Sequence, residues 1–431
     1  MSLPFPLNRI PWNKNIRNVL IYFFSSGFSR SIPFLLLPLL TRILSPTDFG
    51  ILGLAAVFVN MTTPLITFNA PGYIYAHYFK FPQEEINHRL AVIANLAVVM
   101  GLLLAAVAIG LYYLGVLDTT LPLWTILSIV VIAFSMSMLN MAQTLNQIET
   151  RLKRYVTYEI SNALIIGAMV VVLVLVMGMK WQGRFLAGFA GNVTVGALAL
   201  IYLIRSRSIS PTYDSASLKA FLGFSAPILP HVFGLWALNG IARLFLARFV
   251  SLEEAGFFQV ALQLTMILAL FYEAMFKVWN PFFYRHVNLA DDNPQVKNKL
   301  VRFSYYYVGA GLVLAAGFLL ISQILIHVFV YEKFARSGVY LIWLVFGMAA
   351  YNVTRTFTGY LYHTGKTKLL GMTTALSALV NIALAFTLNR FNGPVGVAQA
   401  TFLAFVVHSS LITAFALRAY PMPWLHPFRR K

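Results

Sequence analysis

Apolar runs of about 20 residues or longer recur along the whole of this 431-residue chain, which is the length that a membrane-spanning helix needs. Hydrophobic residues make up 59% of the sequence and charged residues 10%, and the mean hydropathy is +0.75. Soluble domains carry roughly 25% charged residues, and a membrane β-barrel shows alternating segments of roughly ten residues. The pattern therefore predicts an all-α polytopic membrane protein.

The apolar runs predict twelve transmembrane helices. They are expected near 17–41, 51–75, 90–114, 122–146, 157–179, 184–205, 222–246, 256–280, 302–328, 338–362, 369–389 and 395–417. The polar stretch Ser206–Lys219 divides them into two sets of six. The predicted organisation is an N-terminal lobe (1–206), a cytoplasmic linker (207–220), a C-terminal lobe (221–418) and a basic cytoplasmic tail (419–431).

The basic residues are distributed unevenly between alternate loops. With the N-terminus inside, the inner segments carry 21 Lys and Arg residues and the outer segments carry 7. Cytoplasmic loops are enriched in Lys and Arg, so the distribution predicts that both termini are cytoplasmic. The same distribution explains the net charge of +19 without nucleic acid as a partner, because the basic residues lie in short loops and form no continuous basic face.

One short motif occurs twice, 206 residues apart. Arg42–Gly50 (RILSPTDFG) corresponds to Arg248–Gly256 (RFVSLEEAG): each is an apolar run that ends at Arg, followed by a turn with Ser and an acidic residue, and then Gly. Further pairs at an offset of 212 match Asn140 with Asn352 and Gln143 with Arg355. An even number of helices per repeat predicts two parallel six-helix lobes with a cleft between them, an arrangement typical of transporters.

Four basic residues fall inside predicted helices: Arg30, Arg243, Lys277 and Arg355. A charge at that depth is costly and faces the bundle interior or a wet cavity. Glu273 precedes Lys277 by four residues, so these two are expected to form an ion pair on one helix face. The three arginines have no evident carboxylate, and guanidinium groups pair well with phosphate oxygens. Together with Lys277 they are candidate ligands for an anionic cargo, and snorkelling to the interface or capping of helix carbonyls is the alternative.

Other polar residues and several prolines complete the candidate site. Asn140, Gln143 and Asn352 are candidates for cargo binding, and interhelical hydrogen bonding is the alternative interpretation. Glu273 and Glu159 are the acidic candidates for coupling to an ion. Candidate gate or hinge residues are the prolines in the first helix of each half, Pro33, Pro38, Pro227 and Pro230.

Several classes of function are disfavoured by the sequence. Cysteine is absent, which excludes disulfides and thiolate sites. There is no Walker A loop and no H-E-x-x-H motif, so neither ATP hydrolysis nor a metal site is expected. The predicted outer loops are short, about 5 to 12 residues, whereas an enzyme that acts on glycans needs room for its acceptor. No catalytic residue is therefore assigned.

The segment Leu37–Gly53 (LPLLTRILSPTDFGILG) resembles the start of Wzx-type polysaccharide flippases, in the superfamily that also holds MATE drug exporters and lipid II flippases. The second copy of the motif, the Asn280-Pro281 end of the eighth helix, the basic turn at Gly365-Lys366 and the twelve-helix layout are similar too. Arg30 is followed by Ser31, whereas lipid II flippases often carry an Arg-Asp pair, so the lipid II interpretation is weaker.

The resemblance implies a MATE-like, V-shaped bundle in the bacterial inner membrane. It would move an undecaprenyl-pyrophosphate-linked O-antigen or capsule repeat unit from the cytoplasmic to the periplasmic leaflet by alternating access. Arg30, and less directly Arg355, match the cationic cavity residues of that family. A proton or sodium gradient is the candidate driving force, and bilayer lipids, a polysaccharide polymerase and a chain-length regulator are candidate partners. A MATE-type drug exporter and a glycan polymerase or ligase remain as alternatives.

Overall fold

A computed structural model describes residues 21, 25, 27–29, 31–115, 121–207, 213–290 and 293–424. These residues form helices joined by short links, with no strand among them. Eleven helices in the described ranges are long and apolar enough to cross a membrane. They correspond to eleven of the twelve predicted helices, and the remaining one, near 17–41, lies partly outside the described residues. The prediction of an all-α polytopic membrane protein is confirmed.

The chain divides into two compact units, each built from two segments. Unit 1 comprises Met1–Leu36 and Leu65–Ser225, and unit 2 comprises Leu37–Pro64 and Ala226–Lys431. This division differs from the predicted lobes 1–206 and 221–418, because residues 37–64 belong to unit 2. The physical reason is a close backbone contact between the two copies of the repeated motif, which is described below.

Unit 1 is organised around a helix of mixed small and large side chains, Leu123–Ile148. Its Met138, Met141 and Leu145 are fully buried, and Gly196 lets a neighbouring helix approach the backbone of Ser135. The helices that lie wholly in unit 1 are α3 (Ala70–His77), α4 (Gln83–Tyr113), α5 (Leu123–Ile148), α6 (Leu152–Val170), α7 (Trp181–Arg207) and α8 (Ser215–Ser225), with a π-helical turn at Val171–Val176.

Unit 2 contains α1 (Leu37–Ile43), most of α2 (Pro46–Thr67), α9 (Leu229–Phe249), α10 (Leu252–Ala290), α11 (Pro294–Phe329), α12 (Ser337–His363), α13 (Lys368–Asn392) and α14 (Pro394–Ala419). Its core is rich in aromatic rings. Trp279, Phe283 and Tyr360 pack together at one end of the unit, with ring centroids 5.9 Å apart for Trp279–Phe283 and 4.7 Å apart for Phe283–Tyr360.

The eighth predicted helix does not end at Pro281. In the structure, α10 continues through this proline to Ala290. A proline inside a helix removes one main-chain hydrogen bond and costs about 3 kcal/mol. Beyond the proline, however, Phe283, Val287 and Ala290 are all buried. The burial of these apolar side chains offsets the cost, so tertiary packing overrides the local signal.

The predicted linker 207–220 is helical in its last part, because α8 begins at Ser215. Asp214 caps this helix: its carboxylate accepts hydrogen bonds from the main-chain N–H groups of Ala216 and Ser217 at 3.0 and 3.3 Å. The Ser217 hydroxyl, these N–H groups and His88 together hold the pKa of Asp214 at about 2. The predicted linker therefore ends in a capped helix.

The chain passes between the two units at three places, and each has a proline close by. A turn at Leu36 separates 31–35 from α1, between Pro33 and Pro38. Pro64 lies inside α2, which is followed by Phe68 and Asn69 with positive φ angles of 46° and 61°. A single 3-10 turn, Ala226–Ile228, holds Pro227 and leads into Pro230 at the start of α9.

Candidate functional site

Arg355 on α12 is paired with Glu273 on α10. Their side chains approach to 2.9 Å between Nη2 and Oε2, and 26% of the Arg355 side chain and 30% of the Glu273 side chain remain exposed. Arg355 also lies over the rings of Phe276 and Tyr351, at 4.9 and 5.7 Å from the ring centroids. The guanidinium is thus neutralised by a carboxylate and flanked by aromatic faces.

A buried hydrogen-bonded layer lies next to this ion pair. Tyr307 on α11 donates to Oδ1 of Asn352 on α12 at 3.0 Å. Asn352 lies one turn before Arg355 on the same helix. Tyr272, the residue before Glu273, donates to the main-chain oxygen of Gly311 at 3.0 Å. These bonds tie α10, α11 and α12 together around the ion pair, and they fix the helix faces that carry Glu273 and Arg355.

One prediction about charges changes as a result, and a second gains an interhelical partner. Arg355 is not the unpaired cation that the sequence indicated, because a carboxylate 82 positions away faces it. Glu273 was expected to pair with Lys277 on its own helix, and the structure gives it Arg355 as an interhelical partner. Lys277 lies exposed on α10, one turn after Glu273. Packing of α10 against α12 places the guanidinium beside Glu273, a contact that helical periodicity alone cannot reveal.

Arg243 on α9 is held by neutral oxygens. Its Nη1 donates to Oε1 of Gln259 on α10 at 3.0 Å, and its Nη2 donates to the main-chain oxygen of Asn239 at 3.3 Å. Its Nε is buried and has no hydrogen-bond partner among the described residues. No carboxylate therefore neutralises Arg243 among its hydrogen-bond partners, and its guanidinium can attract an anion.

Arg30 lies outside the described residues, so its prediction stays a prediction. Pro33 and Pro38 flank the turn at Leu36, and Pro227 and Pro230 flank the start of α9. All four hinge candidates therefore lie at irregularities of the helices.

The polar residues predicted on the fourth helix fall into two groups. Asn140 is exposed on α5, whereas Gln143 is buried and donates to the main-chain oxygen of Tyr155 on α6 at 3.3 Å. Asn146 is fully buried, and neither of its amide atoms has a hydrogen-bond partner among the described residues. Gln143 thus joins α5 to α6 within unit 1.

Glu159, the second candidate for coupling, lies in the first half of α6. The Tyr155 hydroxyl, one turn earlier, donates to its Oε1 at 3.3 Å. Its main-chain oxygen accepts a hydrogen bond from the Ser29 hydroxyl at 3.0 Å, which connects α6 to the start of the chain. The carboxylate therefore has a neutral partner, in contrast to that of Glu273.

The two copies of the repeated motif form matching helix caps. Ser45 and Asp48 exchange hydrogen bonds at the start of α2, with Ser45 N donating to Asp48 Oδ2 at 2.8 Å and Asp48 N donating to Ser45 Oγ at 3.1 Å. In the second copy, Glu254 N donates to Ser251 Oγ at 3.1 Å at the start of α10. A hydroxyl at the N-cap and an acidic residue three positions later is the capping-box arrangement.

The two copies also contact each other directly. A Cβ atom at Gly50 would collide with the main-chain oxygen of Leu252, and one at Gly256 would collide with that of Pro46. The N-terminal turns of α2 and α10 therefore cross with their backbones in contact. In addition, Lys333 donates to the main-chain oxygen of Arg42 at 3.0 Å, and Arg336 forms an ion pair with Glu254 at 2.6 Å. The hydrogen bond to Glu254 raises the pKa of Arg336.

Sequence reasoning missed two histidines in unit 2. His231 on α9 and His408 on α14 lie inside the bundle among hydroxyl groups of α13. The sequence offered only a weak signal, because neither histidine belongs to a motif. No group of three or more His, Cys, Asp or Glu residues suited to a metal ion occurs within the described ranges.

Comparison with known proteins gives consistent results. A family model described as "Polysaccharide biosynthesis protein" matches residues 16–287. The "Lsg locus putative protein 1" of Haemophilus influenzae is 20% identical over 376 residues, which cover 86% of this chain and 90% of that protein. An uncharacterized membrane protein of the same organism is 20% identical over 369 residues, covering 85% of this chain and 88% of that protein.

Two solved structures share the fold. The lipid II flippase MurJ in an inward closed conformation matches with a TM-score of 0.72 and 15% identity, covering 94% of this chain and 88% of that one. An inward-facing multidrug resistance MATE family transporter of the MOP superfamily matches with a TM-score of 0.65 and 14% identity, covering 90% and 94%. The MATE-like fold that the resemblance of Leu37–Gly53 implied is therefore confirmed.

Proposed function

Because the chain belongs to the polysaccharide biosynthesis protein family, we propose that it translocates a lipid-linked oligosaccharide across the bacterial inner membrane. The proposed cargo is an O-antigen or capsule repeat unit on undecaprenyl pyrophosphate, carried from the cytoplasmic to the periplasmic leaflet by alternating access. A polysaccharide polymerase and a chain-length regulator are the proposed partners that use the product. The MATE-like fold supports transport rather than catalysis.

One structural observation leads to a specific residue: Arg243 is a partly buried cation whose hydrogen-bond partners in the described part of the chain are neutral oxygens. A guanidinium that no carboxylate neutralises attracts phosphate oxygens. Arg30 is a second proposed cargo ligand, on the basis of its sequence position alone. Arg355 contributes differently, since a pyrophosphate must compete with Glu273 for its guanidinium.

The short outer links argue against the enzymatic alternative. The link between α1 and α2 is 44–45, and that between α9 and α10 is Val250 and Ser251. Such links offer no platform for a glycan acceptor. The MATE-type alternative needs a carboxylate able to bind an organic cation, and Glu273 is already matched by Arg355. Drug efflux that disappears in Glu273→Gln would favour that alternative instead.

Alanine substitution of the proposed anion ligands tests the function. We expect Arg30→Ala and Arg243→Ala each to reduce the surface polysaccharide ladder at least about tenfold, the effect of losing about 1.4 kcal/mol of cargo binding, while the protein level in the membrane stays unchanged. Arg→Lys at either position should restore part of the ladder, because the charge returns without the bidentate geometry. Arg390→Ala is the matched control, since Arg390 is exposed at the end of α13. Unchanged ladders in both alanine variants would refute the proposal.

A further inference from the structure

The interior of unit 2 contains two histidines from different helices that face a row of hydroxyl groups on a third. Nδ1 of His231 on α9 lies 2.8 Å from Oγ1 of Thr374 on α13. His408 on α14 is 2% exposed, and its electrostatic neighbours are the His231 imidazole and the main-chain oxygen of Thr373. Thr373, Thr374 and Ser377 are all buried. We call this cluster the histidine pair site.

Small residues create the close approach that forms the site. A Cβ atom at Gly234, one turn after His231, would lie 2.9 Å from the methyl group of Thr374. A Cβ atom at Gly371 would lie 4.0 Å from Cβ of His231. Helices α9 and α13 therefore pack at short distance, and this places the imidazole against the hydroxyl. The site is built by the helix packing and does not depend on flexible side chains.

Hydrogen bonding assigns the protons of His231. The Thr374 hydroxyl donates its single hydrogen to the main-chain oxygen of Leu370. It can then only accept from His231, so Nδ1 of His231 carries the proton. In the neutral imidazole, Nε2 holds the lone pair. The neutral His231 imidazole thus keeps one basic nitrogen, and the main-chain oxygen of Leu370 is a further neighbour of the ring.

His408 offers a second basic nitrogen. Its Nδ1 is buried and has no hydrogen-bond partner among the described residues. The neighbouring main-chain oxygen of Thr373 can only accept, so it favours the proton on Nε2 and leaves the lone pair on Nδ1. The site therefore contains two unprotonated ring nitrogens, close enough for their charges to interact.

The surroundings limit the occupant to a single positive charge. Each imidazole has the other as an electrostatic neighbour, and α13 presents the Thr374 hydroxyl and the main-chain oxygens of Leu370 and Thr373 to them. From α12, Tyr351 contacts Phe405 of α14 with ring centroids 5.6 Å apart, and the charge of Arg355 beyond it is matched by Glu273. Two imidazolium ions would repel each other in this low-dielectric interior. Hard cations such as Na⁺ favour oxygen ligands, carboxylates above all, so lone pairs on nitrogen select a proton instead.

We propose that His231 and His408 form a binding site for one transported proton, which couples the cargo cycle to the proton gradient. Binding forms one N–H bond on either imidazole, and release breaks it, with no other bond changed. The site lies 11 residues from the inner end of α14, about 17 Å along the helix. The role of the proton in transport rests on the function proposed above, whereas the proton site itself does not.

Two substitutions separate proton binding from packing. His231→Asn keeps an N–H donor for Thr374 and removes the basic Nε2. His408→Gln keeps a donor for the Thr373 carbonyl and removes the basic Nδ1. His327→Gln is the matched control. His327 is exposed in the last turn of α11, and its Nδ1 lies 2.7 Å from the main-chain oxygen of Gln323.

The cargo-independent experiment is nitrogen NMR of ¹⁵N-histidine-labelled protein in lipid nanodiscs. At about pH 8, we expect a neutral Nδ1–H tautomer for His231 and a neutral Nε2–H tautomer for His408, each assigned by its loss in the matching variant. On acidification to about pH 5, one imidazolium is expected per pair. Two imidazolium signals per pair, or none, would overturn the proposal.

The transport experiment uses cells and an uncoupler. Each histidine variant should lower surface polysaccharide at least about tenfold at normal protein level, whereas His327→Gln should not. If the histidine variants keep both a normal ladder and its sensitivity to the uncoupler, the proton site is wrong while the transport function stands. If the Arg30 and Arg243 variants also keep normal ladders, the transport function itself fails.

Discussion

At the scale of single residues, the pair Glu273–Arg355 governs the charge balance of unit 2. Because both side chains are partly exposed, solvent screening limits the stability that the pair provides. Removing one partner still leaves a charge in the membrane interior without its counter-ion. The pair therefore neutralises Arg355, and under the proposed function an anionic cargo would have to displace the carboxylate.

Charge removal and charge exchange test how much the pair stabilises the protein. Glu273→Gln or Arg355→Ala is expected to destabilise the protein by about 1–3 kcal/mol, because a hydrogen bond between charged groups is lost. The double exchange Glu273→Arg with Arg355→Glu should recover most of that loss. Thermal unfolding of detergent-purified protein measures both effects, with Arg390→Ala as the reference. Equal melting temperatures for all four variants would show that the ion pair does not stabilise the protein.

The sequence identified Arg355, Asn352 and Glu273 as intramembrane polar residues, but it could not pair them. Helical periodicity reveals only neighbours three or four positions apart, such as Glu273 and Lys277. The contact between Glu273 and Arg355 depends on how α10 and α12 pack. His231 and His408 were missed for the same reason, since the approach of His231 to Thr374 depends on the close packing of α9 against α13 at Gly234.

At the scale of elements, the repeated motif acts as a pair of capped helix starts that cross each other. Neither crossing glycine has room for a side chain, because the atoms that a Cβ would meet are main-chain oxygens. Backbone atoms cannot rotate away as a side chain can, so the helices would have to separate. Residues 37–64 are thereby fixed to unit 2, although the chain order places them with the first half.

Alanine at either crossing glycine is expected to destabilise the protein. The added methyl group forces the two backbones apart, and overpacking of this kind costs about 1–3 kcal/mol. Gly50→Ala and Gly256→Ala should therefore lower the melting temperature. Gly309→Ala and Gly317→Ala are the controls, because nothing lies within 4 Å of a Cβ atom at these positions. If the melting temperature fell equally in all four variants, the backbone contact at Gly50 and Gly256 would not be the cause of the destabilisation.

The prolines near the passages between the units are expected to matter for motion more than for stability. Alanine favours a continuous helix over the 3-10 turn Ala226–Ile228, so Pro227→Ala should stiffen this passage. We expect an unchanged or higher melting temperature together with a weaker polysaccharide ladder. Pro294→Ala, in the first turn of α11, is the control. A normal ladder in Pro227→Ala would contradict the assignment of this proline as a hinge.

At the scale of the whole molecule, composition and hydrophobic run length were sufficient to predict the class of protein and nearly every helix. They were not sufficient to predict its division into units. Membership of residues 37–64 in unit 2 is decided by main-chain contacts at Gly50 and Gly256, and composition does not report such contacts. The extension of α10 beyond Pro281 likewise depends on burial against distant aromatic rings.

The orientation of the molecule in the membrane is the remaining prediction at this scale. It rests on 21 basic residues in the proposed inner segments against 7 in the outer ones. Because the chain contains no cysteine, single cysteines can be introduced without altering a native thiol. Met177 and Phe391 are exposed at proposed outer links, and Tyr213 and Lys366 are exposed at proposed inner ones.

Intact cells treated with a membrane-impermeant maleimide should label Met177→Cys and Phe391→Cys but leave Tyr213→Cys and Lys366→Cys unreacted. Permeabilised cells should label all four, because every position is exposed to water when the barrier is removed. A cytoplasmic marker protein with a surface thiol serves as the control for leakage. The opposite labelling pattern would place both termini outside, and it would reverse the direction of transport assigned to the cargo.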